Sequence, residues 1–263
     1  MKRFVAPVIG LVLVLSACSS NSGSGASGSP SGGAALTVFA ASSLKGALTK
    51  IGADFSAANP GDTVTFNFAA SDDLAAQIQS EGTADVFASA SGKYMDQVQQ
   101  KPGVSGRVDF AQNRLVIITP PDNPTSITSI DDLAKPGVQL VLAAKGVPVG
   151  DYAREVLTNA GIDAAAEANV VSNEEDDASV VAKITSGEAD AAIVYASDVT
   201  DQVAPTVKAI QIPDAINVIA TYPIAVVTGT ANGDAAQAFV DYVTGSRGQA
   251  TLSTFGFLPP PST

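Results

Sequence analysis

Apolar residues in the body of the chain follow two rhythms. Short runs dominated by apolar residues, at 36–40, 64–68, 85–88, 115–119, 139–143, 191–195 and 219–227, predict strands, and the pair Val170-Val171 begins another. Between them apolar residues recur three and four apart: Leu44, Leu48, Ile51 and Phe55; Leu74 and Ile78; Ala153, Val156 and Leu157; Val181 and Ile184. That spacing lays them along one helix face each. Gly161 and Gly187 stand where two of these helices should end. Two more helices are expected near 235–243 and 247–254. Such alternation of strand and helix predicts an α/β architecture, a mixed, mostly parallel sheet flanked by helices on both faces. No internal repeat is evident.

The first 33 residues follow neither rhythm. Lys2 and Arg3 precede a short apolar run from Val8 to Leu15, too short to span a bilayer comfortably. Leu15-Ser16-Ala17-Cys18 follows, which resembles a bacterial lipobox. Residues 1–17 are therefore expected to be a signal peptide, with the thiol of Cys18 lipidated. Residues 19–33 are all Ser, Gly, Ala, Asn or Pro, a composition that buries no apolar surface. They are expected to form a flexible tether, 18–33 with the lipidated Cys. The folded part then begins near Ala34, outside the cytoplasmic membrane and held to its outer face only by lipid.

Composition narrows the chemistry. The chain of 263 residues has 14 Lys+Arg against 26 Asp+Glu, a formal net charge of −12, with no His, no Trp and one Cys. Loss of residues 1–17 removes Lys2 and Arg3 and leaves 12 basic against 26 acidic residues, a net −14. An acidic chain without a basic patch argues against a nucleic-acid partner. The absence of His removes the Ser-His-Asp triad, and with a single Cys the usual zinc and haem sites and an intrachain disulfide go too.

Four strand-to-helix junctions share a design of small or Ser residues followed by a helix start: Ser42–Ser43, Ser71, Val149–Gly150 and Asp176–Asp177. Open α/β sheets bind ligands at the carboxyl ends of their strands. Helix N-termini there offer free N–H groups and about half a positive charge each. Several converging starts make an anion site without Lys or Arg. Taken singly, a Ser at a helix start is most often just an N-cap.

The residues around these junctions carry a resemblance. Val38-Phe39-Ala40-Ala41-Ser42-Ser43-Leu44 resembles the opening of periplasmic molybdate-binding proteins of ABC transporters. Phe68-Ala69-Ala70-Ser71, Ala84-Asp85-Val86-Phe87-Ala88-Ser89-Ala90 and Pro148-Val149-Gly150-Asp151-Tyr152-Ala153 are similar to later motifs of that family. So are the segment from Gly187 to Asp198, which contains Ile193-Val194-Tyr195, then Tyr222-Pro223-Ile224-Ala225-Val226, and the terminal Phe255-Gly256-Phe257. The resemblance implies a two-lobed periplasmic-binding-protein fold. Lobe 1 would comprise 34–116 and 225–263, and lobe 2 would comprise 117–224. The strands at 115–119 and 224–227 would be the two crossovers forming the hinge.

The resemblance also implies a ligand set of neutral donors around a tetrahedral oxyanion, molybdate or tungstate. These are the hydroxyl and N–H of Ser43, the same pair of Ser71, the N–H groups of Val149 and Asp177, and the Tyr195 hydroxyl. Asp177 departs from the apolar residue common in the family, and Asp72 and Asp73 from the small polar residues usual after the second Ser. A carboxylate about 4 Å from a dianion costs on the order of 4 kcal/mol per unit charge at an effective dielectric near 20. Asp177 is therefore expected to offer only its N–H, its carboxylate turned to solvent or capping its helix; turned inward instead, it would accept the proton of an anion such as hydrogen phosphate. The implied protein is a monomer without cofactor or cation site that hands its ligand to an ABC permease.

Other classes have thinner support. Ser42-Ser43-Leu44-Lys45 fits the S-x-x-K pattern of penicillin-interacting serine enzymes, but no K-T-G or S-D-N partner occurs and Lys45 is expected to face solvent. The run Glu174-Glu175-Asp176-Asp177 lacks the spacing of a calcium loop. The remaining alternatives are a binding protein for sulfate or phosphate and a structural lipoprotein without ligand.

Overall fold

The computed structural model describes residues 33–262. The signal peptide, the Cys18 lipidation site and nearly all of the tether lie outside the described residues. Among the described residues no helix is long and apolar enough to cross a membrane.

The first group of elements is β1 (Ala35–Ala41), α1 (Lys45–Ala58), β2 (Thr63–Ala69), α2 (Ser71–Glu81), β3 (Val86–Ala88) and α3 (Gly92–Gln100). The long strand β4 (Val104–Thr119) follows. The second group is β5 (Leu140–Ala143), α4 (Pro148–Asn159), α5 (Asp163–Glu167), β6 (Val170–Glu174), α6 (Asp177–Thr185), β7 (Ala191–Tyr195) and β8 (Lys208–Gln211). The chain closes with β9 (Ile219–Val227), α7 (Gly233–Thr244) and α8 (Ser246–Thr254).

Among the described residues nine strands pair in the order β2-β1-β3-β9-β4-β7-β5-β6, with β8 alongside β4. β1 pairs in parallel with β2 and β3, and β5 in parallel with β6 and β7. Every antiparallel pair involves β4 or β9, so the sheet is mixed, with two parallel sets joined by long antiparallel strands. The expected crossover segments are the C-terminal portions of β4 and β9. β4 pairs with β9 from Val104 to Arg114 and with β7 and β8 from Leu115 to Thr119. The chain thus changes partners at Arg114–Leu115 and comes back to the first set between β8 and β9.

The apolar rhythm explains the packing. Leu48, Ile51 and Phe55 form the buried stripe of α1, with Leu44 buried just ahead of its start, and the Phe55 ring meets Phe239 of α7 edge-on at 5.3 Å. On the opposite face, Leu74 and Ile78 of α2 and Tyr94, Met95 and Val98 of α3 pack with Phe39, Phe87 and Ala225. Fully burying one such side chain contributes roughly 1.5–3 kcal/mol. Pro148 opens α4 at a position where its missing N–H costs nothing. Gly161 and Gly187 follow α4 and α6 with φ of +72° and +74°, a left-handed turn that favours glycine.

Candidate functional site

The ends of these strands converge. One small cavity is walled on one side by Ser42 and Ser43 after β1, Ser71 after β2 and Ala90 after β3. On the other side stand Val147 to Val149 at the start of α4, Asp177 at the start of α6 and Tyr195 at the end of β7. The structure therefore brings together all five residues singled out in the sequence: Ser43, Ser71, Val149, Asp177 and Tyr195. All five are buried. Its volume is about 10 Å³, the room of a single water.

Each wall has a physical origin. α2 starts at Ser71 itself, so the N–H groups of Ser71, Asp72 and Asp73 precede the first intrahelical bond, which Leu74 makes to Ala70. In α4 the first such bond runs from Asp151 to Val147, which frees Val149 and Gly150. Gly150 allows this start to lie close against the end of β5. A Cβ there would sit inside the shells of the Ala143 and Ala144 carbonyl oxygens. In α6 the first bond runs from Val180 to Asp176, which frees Asp177 and Ala178.

The hydroxyls are held from behind. The Ala90 N–H donates to Ser71 Oγ at 3.0 Å. Ser43 Oγ and the Tyr222 hydroxyl are 3.1 Å apart, and Asn113 Nδ2 donates to Ser197 Oγ at 2.8 Å and reaches the Tyr222 hydroxyl at 3.5 Å. Tyr222 packs edge-on against Tyr195, centroids 5.8 Å apart. The Tyr195 hydroxyl differs from the others: the residue is 1% exposed and its oxygen has no hydrogen-bond partner. A buried donor left unpaired costs about 1–3 kcal/mol. Burial, and then the neighbouring Tyr222, push its pKa well above the ordinary tyrosine value, so it is a donor at neutral pH.

Among the described residues no lysine or arginine lines the cavity. Lys45 is exposed, and the S-x-x-K pattern brings no amine to Ser42. In the acidic run, Asp176 caps α6 by accepting the Ser179 N–H at 2.8 Å. Asp72 is half-buried, and burial raises its carboxyl above the ordinary value.

Asp177 corrects the sequence expectation. Its side chain is not turned to solvent, since the residue is 5% exposed. It does not cap the helix either, because Asp176 already does. The carboxyl points across the cavity, where Ser42 Oγ donates to it, and it lies within hydrogen-bonding reach of the Asp198 carboxyl. Burial is the largest cause raising both groups above the ordinary carboxylate range, Asp198 well above it. Asp198 itself is placed by accepting the Tyr195 N–H at 2.9 Å. Sequence reasoning gave no site role to Asp198 and Tyr222, although both lie in the motifs above, and did not single out Asn113; all three act through side-chain contacts between distant segments.

A second link closes the rim. The Tyr94 hydroxyl of α3 donates to the Gly146 carbonyl. The Gly146 N–H donates to Asp151 Oδ1 at 2.8 Å, and Asp151 faces Lys93 of α3 at 3.5 Å. α3 itself was missed, although Ser91 ahead of Tyr94, Met95 and Val98 is a cap followed by a buried stripe.

Comparison with known proteins identifies the family and the fold. Residues 36–258 match the family described as bacterial extracellular solute-binding protein. The molybdate-binding protein ModA of Mycobacterium tuberculosis is 40% identical over 252 residues, 95% of each chain. A solved substrate-binding domain of a putative molybdenum ABC transporter from Clostridium difficile is 29% identical and superposes with a TM-score of 0.68, over 86% of this chain and 99% of that one. The periplasmic molybdate-binding protein of Azotobacter vinelandii, at 21% identity, shares the fold with a TM-score of 0.75 over 86% of this chain and all of its own. The two-lobed fold follows from these structures, and the chain belongs to the bacterial extracellular solute-binding proteins and, among them, to the family of the ModA molybdate-binding proteins.

Proposed function

We propose that this protein captures molybdate, and tungstate with it, in the cavity between the two sets of strands and delivers the anion to an ABC permease. The ligand set is the hydroxyl and N–H of Ser43 and of Ser71, the N–H groups of Val149 and Asp177, and the Tyr195 hydroxyl. One observation carries this reading. The Tyr195 hydroxyl is buried without a partner in a cavity where two Ser hydroxyls and three helix starts also converge. Such a set satisfies the oxygens of a dehydrated anion by geometry, without a fixed cation. The matching family is one of solute-binding proteins, which supports binding and release rather than reaction.

The lobes are 34–116 with 225–263, and 117–224. The change of strand partners at Arg114–Leu115 supports the first boundary. The pairing of β9 with β4 from Ile219 onward supports drawing the second somewhat earlier than 225. Cys18 carries the lipid anchor, and the protein works as a monomer at the outer face of the cytoplasmic membrane. The support for the anchor is the lipobox-like sequence and its Ser/Gly tether.

Titration calorimetry of the purified protein with molybdate, tungstate, sulfate and phosphate tests the reading. Saturable heat with the first two at micromolar affinity or tighter is expected. Preference for sulfate or phosphate would replace molybdate as the ligand, and no heat with any of the four would remove the oxyanion reading.

A further inference from the structure

The contact between Ser42 and Asp177 crosses the cavity, which on the oxyanion reading is where the anion sits. A five-atom oxyanion does not fit into the room of one water, so this contact must part when the ligand enters. Its carboxyl then faces the bound dianion from within the same wall, at the helix start whose N–H groups also point there. The groups that face it are Ser42, Asp198, Asp176, Tyr195 and Tyr222; none is a cation.

We propose that Asp177 is a specificity-determining residue whose side chain stands in for the ligand in the empty protein and takes up one proton when the oxyanion displaces it. This inference rests on the oxyanion reading above. In the empty cavity the carboxylate accepts from Ser42 and from Asp198, which holds the shared proton. The Asp177–Asp198 pair is thereby a monoanion held by the donors of the site. An entering dianion takes over the Ser42 side of the cavity and adds like charge beside Asp177. Like charge at short range favours the protonated form. The proton arrives from solvent as the anion binds, Asp177 becomes a neutral acid, and its O–H is a further donor toward the anion. Burial already holds Asp177 above the ordinary carboxylate range, and the like charge of the anion pushes it further in the same direction. The sign follows from linkage. The liganded protein binds the extra proton, so affinity rises as pH falls through the liganded value and levels off below the empty one. By reciprocity the anion raises proton affinity by the factor that the proton raises anion affinity.

The test is molybdate titration of the wild-type protein between about pH 6.5 and 8.5, where molybdate is a dianion throughout, and at one pH in two buffers of different ionisation heat. The expected results are a Kd at least threefold tighter at the lower pH and a net uptake of protons approaching one per anion. D177N is neutral and nearly isosteric, and is expected to bind molybdate with a Kd that does not change with pH and is tighter than wild type at the upper end. A wild-type Kd independent of pH, or no proton uptake in the two-buffer experiment, overturns the proposal whether or not the variant folds. So does D177N that keeps the pH slope, which would place the proton elsewhere. A folded D177N that has lost binding more than tenfold overturns it too, because the carboxylate would then be a required acceptor for a protonated anion such as hydrogen phosphate. Absence of molybdate heat from the wild type at every pH overturns the molybdate reading and this inference together, and is recognised by loss of the signal itself rather than of its pH dependence.

Discussion

Ser71 and Ala90 are joined by a hydrogen bond of 3.0 Å in which the serine oxygen accepts the alanine N–H. The acceptor side of the hydroxyl is thus engaged inside the protein, and its proton is left for the cavity. Ser71→Ala removes both functions. It is expected to lower melting stability by about 1 kcal/mol through the unpaired Ala90 N–H, and to weaken molybdate binding more than tenfold under conditions where the protein is folded. Melting curves and calorimetry on the same samples separate the two effects. A lower melting point with unchanged Kd would return Ser71 to a purely structural part.

Tyr195→Phe should behave in the opposite way in the empty protein. Its hydroxyl has no partner, so removal relieves a buried unpaired group and the melting temperature should hold or rise. Binding should still weaken by about 1.5–3 kcal/mol, roughly 10- to 150-fold, the range for a hydrogen bond to a charge. A variant that melts lower and binds as before would make Tyr195 a core residue only.

Gly150→Ala places a methyl group against the carbonyl oxygens of Ala143 and Ala144, which are backbone and cannot swing away. The start of α4 must shift, and with it the Val149 N–H. Overpacking of this kind costs about 1–3 kcal/mol, and anion affinity should fall with it. Gly233→Ala, where no atom lies within 4 Å of the added carbon, serves as the control and should melt no lower than wild type.

Asp132 accepts from the Thr128 N–H at 2.7 Å, the Thr128 hydroxyl at 2.8 Å and the Ser129 N–H at 3.0 Å, and pairs with Lys135 at 2.7 Å. Lys135 first, then Thr128, hold its carboxyl well below the ordinary carboxylate range. A depressed value stabilises the fold above the unfolded value and that stability is lost as pH falls toward the folded one. Asp132→Asn is therefore expected to lower the melting temperature at neutral pH, with the gap to wild type narrowing on acidification below the ordinary carboxylate range. A gap constant with pH would show that the charge is not what matters.

The design of the site was readable because it is local. A strand, a small residue and a helix start follow each other within a few positions, so the Ser43, Ser71 and Val149 junctions declare themselves in order along the chain. The strands β1, β7 and β9 were equally plain, being apolar over their length. The first half of β4 was not, because six of its residues from Val104 to Asp109 are exposed or half-exposed and show no apolar rhythm. Its strand state comes from pairing with β9 more than 100 residues later. The orientation of Asp177 was misjudged for a related reason. Charge repulsion argued for an outward carboxylate, but the hydroxyl of Ser42, 135 residues away, and the Asp198 carboxyl provide an inward place that no local pattern announces.

Among the described residues the wall of the cavity holds no lysine or arginine, and the chain carries a net charge of −12. Attraction for a dianion is therefore confined to the last few ångströms, while the long-range field opposes its approach. Screening at 0.1 M salt, with a Debye length of about 10 Å, removes the repulsion and leaves the short contacts intact. Capture should accordingly quicken as ionic strength rises, while release, governed by hydrogen bonds at contact distance, keeps its pace. Stopped-flow mixing at several salt concentrations would read this directly, and an association rate that falls with salt would reveal a steering cation outside the cavity wall.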